Sequence, residues 1–245
     1  MGALSARDLL LVWERAERRR PAERAQMLFA AACPELEDDA LAAVPLGRRE
    51  ACLFRLYQET FGTGLDLATP CPHCGETLEI SIGIDALGLG LDDGASAEAV
   101  EIEDGPLRLC LRPLGGGDLA AAAGCADVEA ARRLLAGRAV LEATRDGEGV
   151  DPFDLTDAEV ELISRALAAL DPQAEILLDL DCPGCGHAWQ ALLDAADCLW
   201  HEIDAAARRL LREVHLLARS YGWREADILA MSAVRRRRYL EILAG

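Results

Sequence analysis

The turn Cys-Pro-x-Cys-Gly occurs twice in this chain, as TPCPHCGETLEISI at residues 69–82 and as DCPGCGHAWQALL at residues 181–193. No other feature constrains the fold as strongly. Two residues between the thiols let both sulfurs face one point, while Pro and Gly shape a tight turn whose backbone N–H groups can aim at the sulfurs. One such knuckle supplies two ligands, whereas a closed structural zinc site takes four. The expected ligands are therefore Cys71, Cys74, Cys182 and Cys185 in one tetrahedral site.

Residues 75 to 181 separate the inner cysteines, far more than the roughly 15 to 20 residues between pairs in common zinc modules. Loop closure costs only about 0.6 kcal/mol per doubling of length, so the longer loop adds roughly 1 to 2 kcal/mol. Structural zinc contributes on the order of 10 to 16 kcal/mol. The metal outweighs the loop, and the intervening chain can be an inserted α/β segment clipped at its base. Three competing readings are metal-free buried thiols, two half-sites completed by another chain, and a thiol redox pair. Redox chemistry is disfavoured because one CxxC would suffice and neither pair opens a helix after a βα unit. Iron accepts four thiolates in the same geometry, and paired CPxCG turns occur in rubredoxins. Zinc is preferred, because an aromatic content of 4% and a large helical remainder do not resemble a small electron carrier.

Nine cysteines in a cytosolic chain do not suggest a disulfide framework. Cys33, Cys52, Cys110, Cys125 and Cys198 stand alone and read as small buried hydrophobes. The formal net charge is -18, and all 25 basic residues are Arg. Such a field repels a nucleic-acid duplex and an anionic membrane unless a local basic face overcomes it. No segment reaches the roughly 18 uninterrupted apolar residues of a membrane span. The opening MGALSARDLLLVWERAERRR reads as an amphipathic helix without a signal-peptide core, and Ala6 misses the myristoylation pattern. The expectation is a soluble, cytoplasmic protein without nucleic-acid or membrane partners.

The predicted elements alternate in character. Helices are expected over residues 5–19, with Ser5 and Asp8 as a capping box, from Pro21 to about Cys33, and from about Gly47 to Phe61. Strands flank each CPxCG turn, as in ETLEISIGI, where Leu78, Ile80, Ile82 and Ile84 alternate with polar or small residues. A Gly- and Asp-rich loop at about 88–97 leads to a hairpin around Asp104-Gly105. Residues 115–143 read as helix in two pieces, interrupted near Gly124 and Gly137. The glycines at 115–117 are not followed by Gly-Lys-Ser/Thr, so a strand-to-helix connection is preferred to a phosphate loop. Thr156 and Glu159 form a capping box for a helix stopped by Asp171-Pro172, and the last fifty residues are helical.

The resulting fold class is α+β, mostly helical, with a zinc ribbon formed by two distant CPxCG knuckles and a small antiparallel sheet. Its regions are an N-terminal helical region (1–63), a zinc-ribbon β region with inserted helices at about 115–171 (64–194), and a C-terminal helical region (195–245).

Catalytic signals are lacking. HEIDA at His201 places Ala205 where a zincin needs its second His, and His215 lies about four turns further on. No GxSxG elbow occurs, and a zinc ion held by four thiolates has no open position for water or substrate.

On the long C-terminal helix, Leu199, Ile203, Ala206, Leu210, Val214 and Leu217 form one apolar stripe, while Trp200, Leu211 and Leu216 lie outside it and suggest a second covered face. Beyond it, Tyr221-Gly222-Trp223, Glu225, Asp227-Ile228-Leu229, Met231-Ser232 and the run Arg235, Arg236, Arg237, Arg238 leading to Tyr239-Leu240 resemble the carboxy-terminal signature of the T4-type baseplate hub assembly chaperone family. The match covers about 45 residues, from Leu199 to the end. Longer relatives in contractile injection clusters are similar in the zinc-knuckle portion. The resemblance implies a non-enzymatic baseplate component or assembly factor, cytoplasmic or incorporated into a particle. Its partners would be other baseplate, hub or tail proteins. The arginine run, with Tyr221, Trp223 and Tyr239, would then grip an acidic neighbour. The alternative is a zinc-ribbon adaptor in transcription or RNA handling, which requires a contiguous basic surface.

Overall fold

The computed structural model describes residues 2–89 and 99–244. The loop expected at 88–97 therefore lies largely outside the described residues. The fold is α+β, with helices outweighing three small antiparallel sheets.

Four helices open the chain. Helix α1 (Ala6–Ala16) begins where the Ser5 hydroxyl accepts the N–H of Asp8, and α2 (Pro21–Ala32) begins with Pro in its first turn, where a missing N–H costs nothing. The Asp8 carboxylate accepts the Ser5 hydroxyl. A short helix not expected from the sequence, α3 (Asp38–Ala43), precedes α4 (Leu46–Phe61). The amino end of α4 is capped from far away, with the Gly47 N–H donating to Asp171 Oδ2 at 2.9 Å.

Two hairpins carry the CPxCG turns. The first pairs β1 (Gly64–Pro70) with β2 (Thr77–Gly83) and runs into a 3-10 turn at Ile84–Leu87. Between the hairpins lies an insert with its own sheet, in the order β3 (Val100–Asp104), β4 (Leu107–Leu111), β5 (Val140–Arg145), β6 (Glu148–Gly149). Helices α5 (Gly116–Ala122) and α6 (Val128–Ala139) connect β4 to β5, and α7 (Asp157–Leu170) follows behind the predicted Thr156/Glu159 capping box. The second hairpin pairs β7 (Leu177–Asp181) with β8 (Ala188–Leu192). The chain ends in α8 (Ala195–Tyr221), α9 (Glu225–Leu229) and α10 (Ala233–Ala244).

Two sequence expectations change in the insert. Residues 140–143 are strand, because Val140 and Ala143 pair with Leu111 and Leu109 of β4, a non-local choice that overrides local helical preference. Gly137 does not interrupt α6. It sits inside the helix where an added Cβ would press on the Phe153 ring at 2.6 Å, so its small size serves packing.

The apolar side chains form three clusters. The largest joins α1, α2 and α4 to the first half of α8 through Leu10, Phe29, Leu53, Phe54, Leu199 and Ile203. The N-terminal helical region and the long C-terminal helix thus share one core. Trp13 Nε1 donates to Asp204 Oδ1 at 2.8 Å across the same interface. The second cluster belongs to the insert, where Leu107, Leu109 and Leu111 pack on Val160 and Ile163. A third gathers Val214, Leu217 and Ile228 at the far end of α8. The six predicted stripe residues of α8 are all buried, whereas Leu211 and Leu216 are exposed, so the expected second covered face does not extend to them. Trp200 is half-buried under Arg24, whose guanidinium lies 4.7 Å from the ring centroid.

Candidate metal centre

Each CPxCG turn is closed by the same backbone bonds. In the first, Cys71 N–H donates to Glu76 O at 2.8 Å and Gly75 N–H to Cys71 O at 2.9 Å; in the second, Cys182 N–H donates to His187 O at 2.9 Å and Gly186 N–H to Cys182 O at 2.8 Å. Gly75 (φ 77°) and Gly186 (φ 70°) both occupy the left-handed region, which explains the invariant last letter of the two turns. The strands close in the same register, Pro70 opposite Thr77 and Asp181 opposite Ala188. The shared CPxCG sequence has produced the same local backbone.

The fold brings the two turns together. Cys71, Cys74, Cys182 and Cys185 converge with all four Sγ atoms within 4.8 Å of one another. Cys71 and Cys185 sulfurs are 3.7 Å apart, and Cys74 and Cys182 sulfurs are 3.6 Å apart. Four sulfurs each about 2.3 Å from a central ion would stand about 3.8 Å from one another at the corners of a tetrahedron. The observed spacing fits a metal ion at the centre. Cys71 and Cys182 are buried and Cys74 and Cys185 exposed, so each turn contributes one inner and one outer thiol.

The electrostatics point the same way. Burial opposes ionisation of Cys71, but N–H groups of Cys74 and His73 and bonds from Cys182 and Cys185 outweigh it and bring this thiol down to about 7. Cys185 moves oppositely. The His187 N–H favours its thiolate, yet desolvation and the neighbouring sulfurs of Cys74, Cys182 and Cys71 push it up to about 12. Cys74 is also raised: the Glu76 N–H, the largest single influence, favours its thiolate, but the sulfur of Cys182, desolvation and the sulfur of Cys71 together outweigh it. Four thiolates this close cannot all ionise unaided, and a divalent cation removes the conflict.

The turns also interlock through their variable positions. The third residue of the first turn meets the sixth of the second, as His73 stacks on His187 with centroids 5.5 Å apart, and His187 in turn stacks on Trp189 at 6.0 Å. The sixth residue of the first turn meets the third of the second. There the Glu76 carboxylate lies against Gly184 so closely that a Cβ would collide with it, and Glu76 Oε2 is 3.9 Å from Cys182 Sγ. The equivalence of the two turns could have been found by aligning them position by position; that Glu76 meets Gly184 depends on the fold that brings the turns together.

The other predicted residues gather elsewhere. Tyr221, Trp223 and Tyr239 form one aromatic cluster, with Tyr221 and Trp223 stacked at 4.5 Å and Tyr239 edge-on to Trp223 at 4.8 Å. Arg236 points inward from the arginine run. It is only 6% exposed and donates to Glu213 Oε2 at 2.9 Å and to Met231 O at 2.6 Å, so it is not part of the exposed arginine face. Arg235, Arg237 and Arg238 are exposed, Arg238 pairing with Glu241 at 2.8 Å. His201 and His215 are exposed on α8 and do not join the thiol cluster.

The base of the second hairpin is tied to the bundle by Glu50. Its carboxylate, 5% exposed, accepts the Ala195 N–H at 3.0 Å at the start of α8 and pairs with Arg49 at 2.8 Å. Burial raises its pKa above the usual carboxylate value despite Arg49. In the insert, the buried carboxylate of Asp118 receives Arg112 at 2.8 and 2.9 Å, Arg138 at 2.7 Å and the Gly115 N–H at 2.9 Å. Neither residue carried a motif.

Among the described residues, no other group of three or more Cys, His, Asp or Glu side chains converges in this way, and no helix is long and apolar enough to cross a membrane. Comparison of the chain with protein-family models, with curated proteins and with solved structures finds no match.

Proposed function

We propose that the four cysteines hold a structural zinc ion, forming a zinc ribbon split across the chain, and that the protein is a non-enzymatic component or assembly factor of a contractile-tail or injection-system baseplate. The observation that carries the metal reading is the convergence of four sulfurs from two interlocked turns, all within 4.8 Å of one another. Four thiolates complete the coordination of zinc and leave no position for substrate, so the ion acts as a cross-link. Tetrahedral sulfur coordination also suits iron; the large helical body favours a structural ion over an electron carrier.

The baseplate reading rests on the resemblance of residues 199–245 to the hub assembly chaperone signature. The aromatic cluster of Tyr221, Trp223 and Tyr239 supports it by fixing how α8, α9 and α10 meet. Arg235, Arg237 and Arg238 then face outward as the surface for an acidic baseplate neighbour. Elemental analysis of the purified protein tests the metal, with one zinc ion per chain expected and a red, iron-loaded protein counting against it. Mass spectrometry of intact particles tests the assignment. Recovery with finished particles marks a subunit, recovery only with intermediates marks an assembly factor, and absence from both rejects the baseplate role.

A further inference from the structure

We infer that the groove between the two hairpins receives one extended, basic segment of a partner protein, which pairs with β1 on one side and β8 on the other. The groove has a volume of about 540 Å³ and is closed on one side by α8. Along one wall β1 contributes residues 65–69 in unbroken succession; along the other, β8 and its continuation contribute residues 191–194. From β2 and β7 come only Ile80, Leu178 and Leu180. Successive side chains of a strand point to opposite faces, so a strand that meets a groove with consecutive residues turns its edge toward it.

Both edges lack a strand neighbour. Among the described residues β1 pairs with β2 alone and β8 with β7 alone. Alternate residues of each strand are spent inside their own hairpin, as Leu193 N–H is on Ile176 O, so the main-chain groups left at the groove for an added strand are those of Asp66 and Ala68 on β1 and of Leu192 on β8. Five residues of β1 at about 3.4 Å each make that wall about 17 Å long, enough for a short segment.

Charge selects the occupant. Asp66, Asp194, Asp197 and Glu202 border the groove, which has no arginine in its lining. A second copy would bring the same carboxylates to the same place, and the chain's own arginine run is helical, with Arg236 held by Glu213. The segment that fits alternates small apolar residues, placed against Leu67, Leu178 and Leu180, with Arg or Lys reaching the carboxylates. The inference rests on the metal-stapled geometry proposed above and not on the baseplate assignment.

A fluorescein-labelled peptide of alternating Arg and Val tests it by fluorescence anisotropy and hydrogen exchange on the metal-loaded protein. The expected results are saturable binding and slowed exchange in both 65–69 and 188–192. N-methylation of alternate peptide residues should weaken binding at least about tenfold, the equivalent of one or two main-chain bonds. Ala205→Trp, which fills the groove from an exposed helical position, should abolish binding; Asp197→Asn with Glu202→Gln should weaken it and flatten its salt dependence. Equal binding of the N-methylated peptide, protection of one hairpin only, or no binding to metal-loaded protein would overturn the inference while leaving the metal centre intact. Two-sided protection in protein that carries no metal would support the groove and reject the ion.

Discussion

The hairpin pair and the insert it encloses solve the same problem by different means. The insert buries Leu107, Leu109, Leu111, Val140, Val160 and Ile163 between a four-stranded sheet and its helices. The hairpins have only two strands each, and their alternating residues are half-buried at best apart from Leu65. A lone two-stranded hairpin is marginal in water, because it buries too little apolar surface to offset the entropy of ordering it. The comparison teaches that the thiols sit where apolar burial runs short, and that the insert can hold its shape without them.

The most damaging change should be Cys182→Ser. It removes one of the four thiols proposed to hold zinc, and a structural zinc site is worth on the order of 10 kcal/mol. Metal analysis should show the ion lost, and hydrogen exchange should show residues 64–83 and 177–192 opening while β4 and β5 stay protected. Retained metal with unchanged melting would erase the distinction between the two regions.

Asp118→Asn strikes the other region. Leaving Arg112 and Arg138 without their buried carboxylate should cost about 3 kcal/mol in denaturant unfolding, with metal content unchanged. Acid should also separate the regions. Thiolates compete with protons, so falling pH should release the metal first. Burial alone would raise the pKa of Asp118, but bonds from Arg112, Gly115 and Arg138 outweigh it and hold the carboxyl at about 2 against an ordinary 3.8. A carboxyl depressed in the folded state stabilises fully above its unfolded pKa, so this contribution of about 2 kcal/mol persists above 3.8 and disappears as pH falls through about 2. Acid titration followed by metal release and by circular dichroism checks the order.

Smaller effects refine the picture. Arg236→Ala should cost about 2 kcal/mol by stranding Glu213, whereas Arg237→Ala should stay within about 0.5 kcal/mol, as measured by thermal melting. Gly184→Ala should cost less than about 1 kcal/mol, because the Glu76 carboxylate it meets can swing aside; a large loss of metal affinity would mean that Glu76 is held in place.

Much of this site was legible in advance. The convergence of its four cysteines was readable because a CPxCG turn is a local object: thiol spacing, a left-handed Gly and a closing strand pair are set within one turn. Caps such as Thr156/Glu159 and the stripe on α8 were readable for the same reason. Asp118, Glu50 and Glu76 were not, since each draws its role from groups that the fold brings to it. For Glu50 that group is the Ala195 N–H, 145 positions away. The strand at Val140 was read as helix because only its pairing with β4 selects the extended form.

By itself, the sequence determined that two equivalent thiol turns would form and that helices would dominate, because each of these depends on neighbours in the chain. The tertiary structure alone decided that the first helices and α8 share one core, that Arg236 faces inward, and that the free edges of β1 and β8 border a common acidic groove. Those outcomes depend on which surfaces meet, and burial, charge pairing and strand register are properties of the contact rather than of either segment.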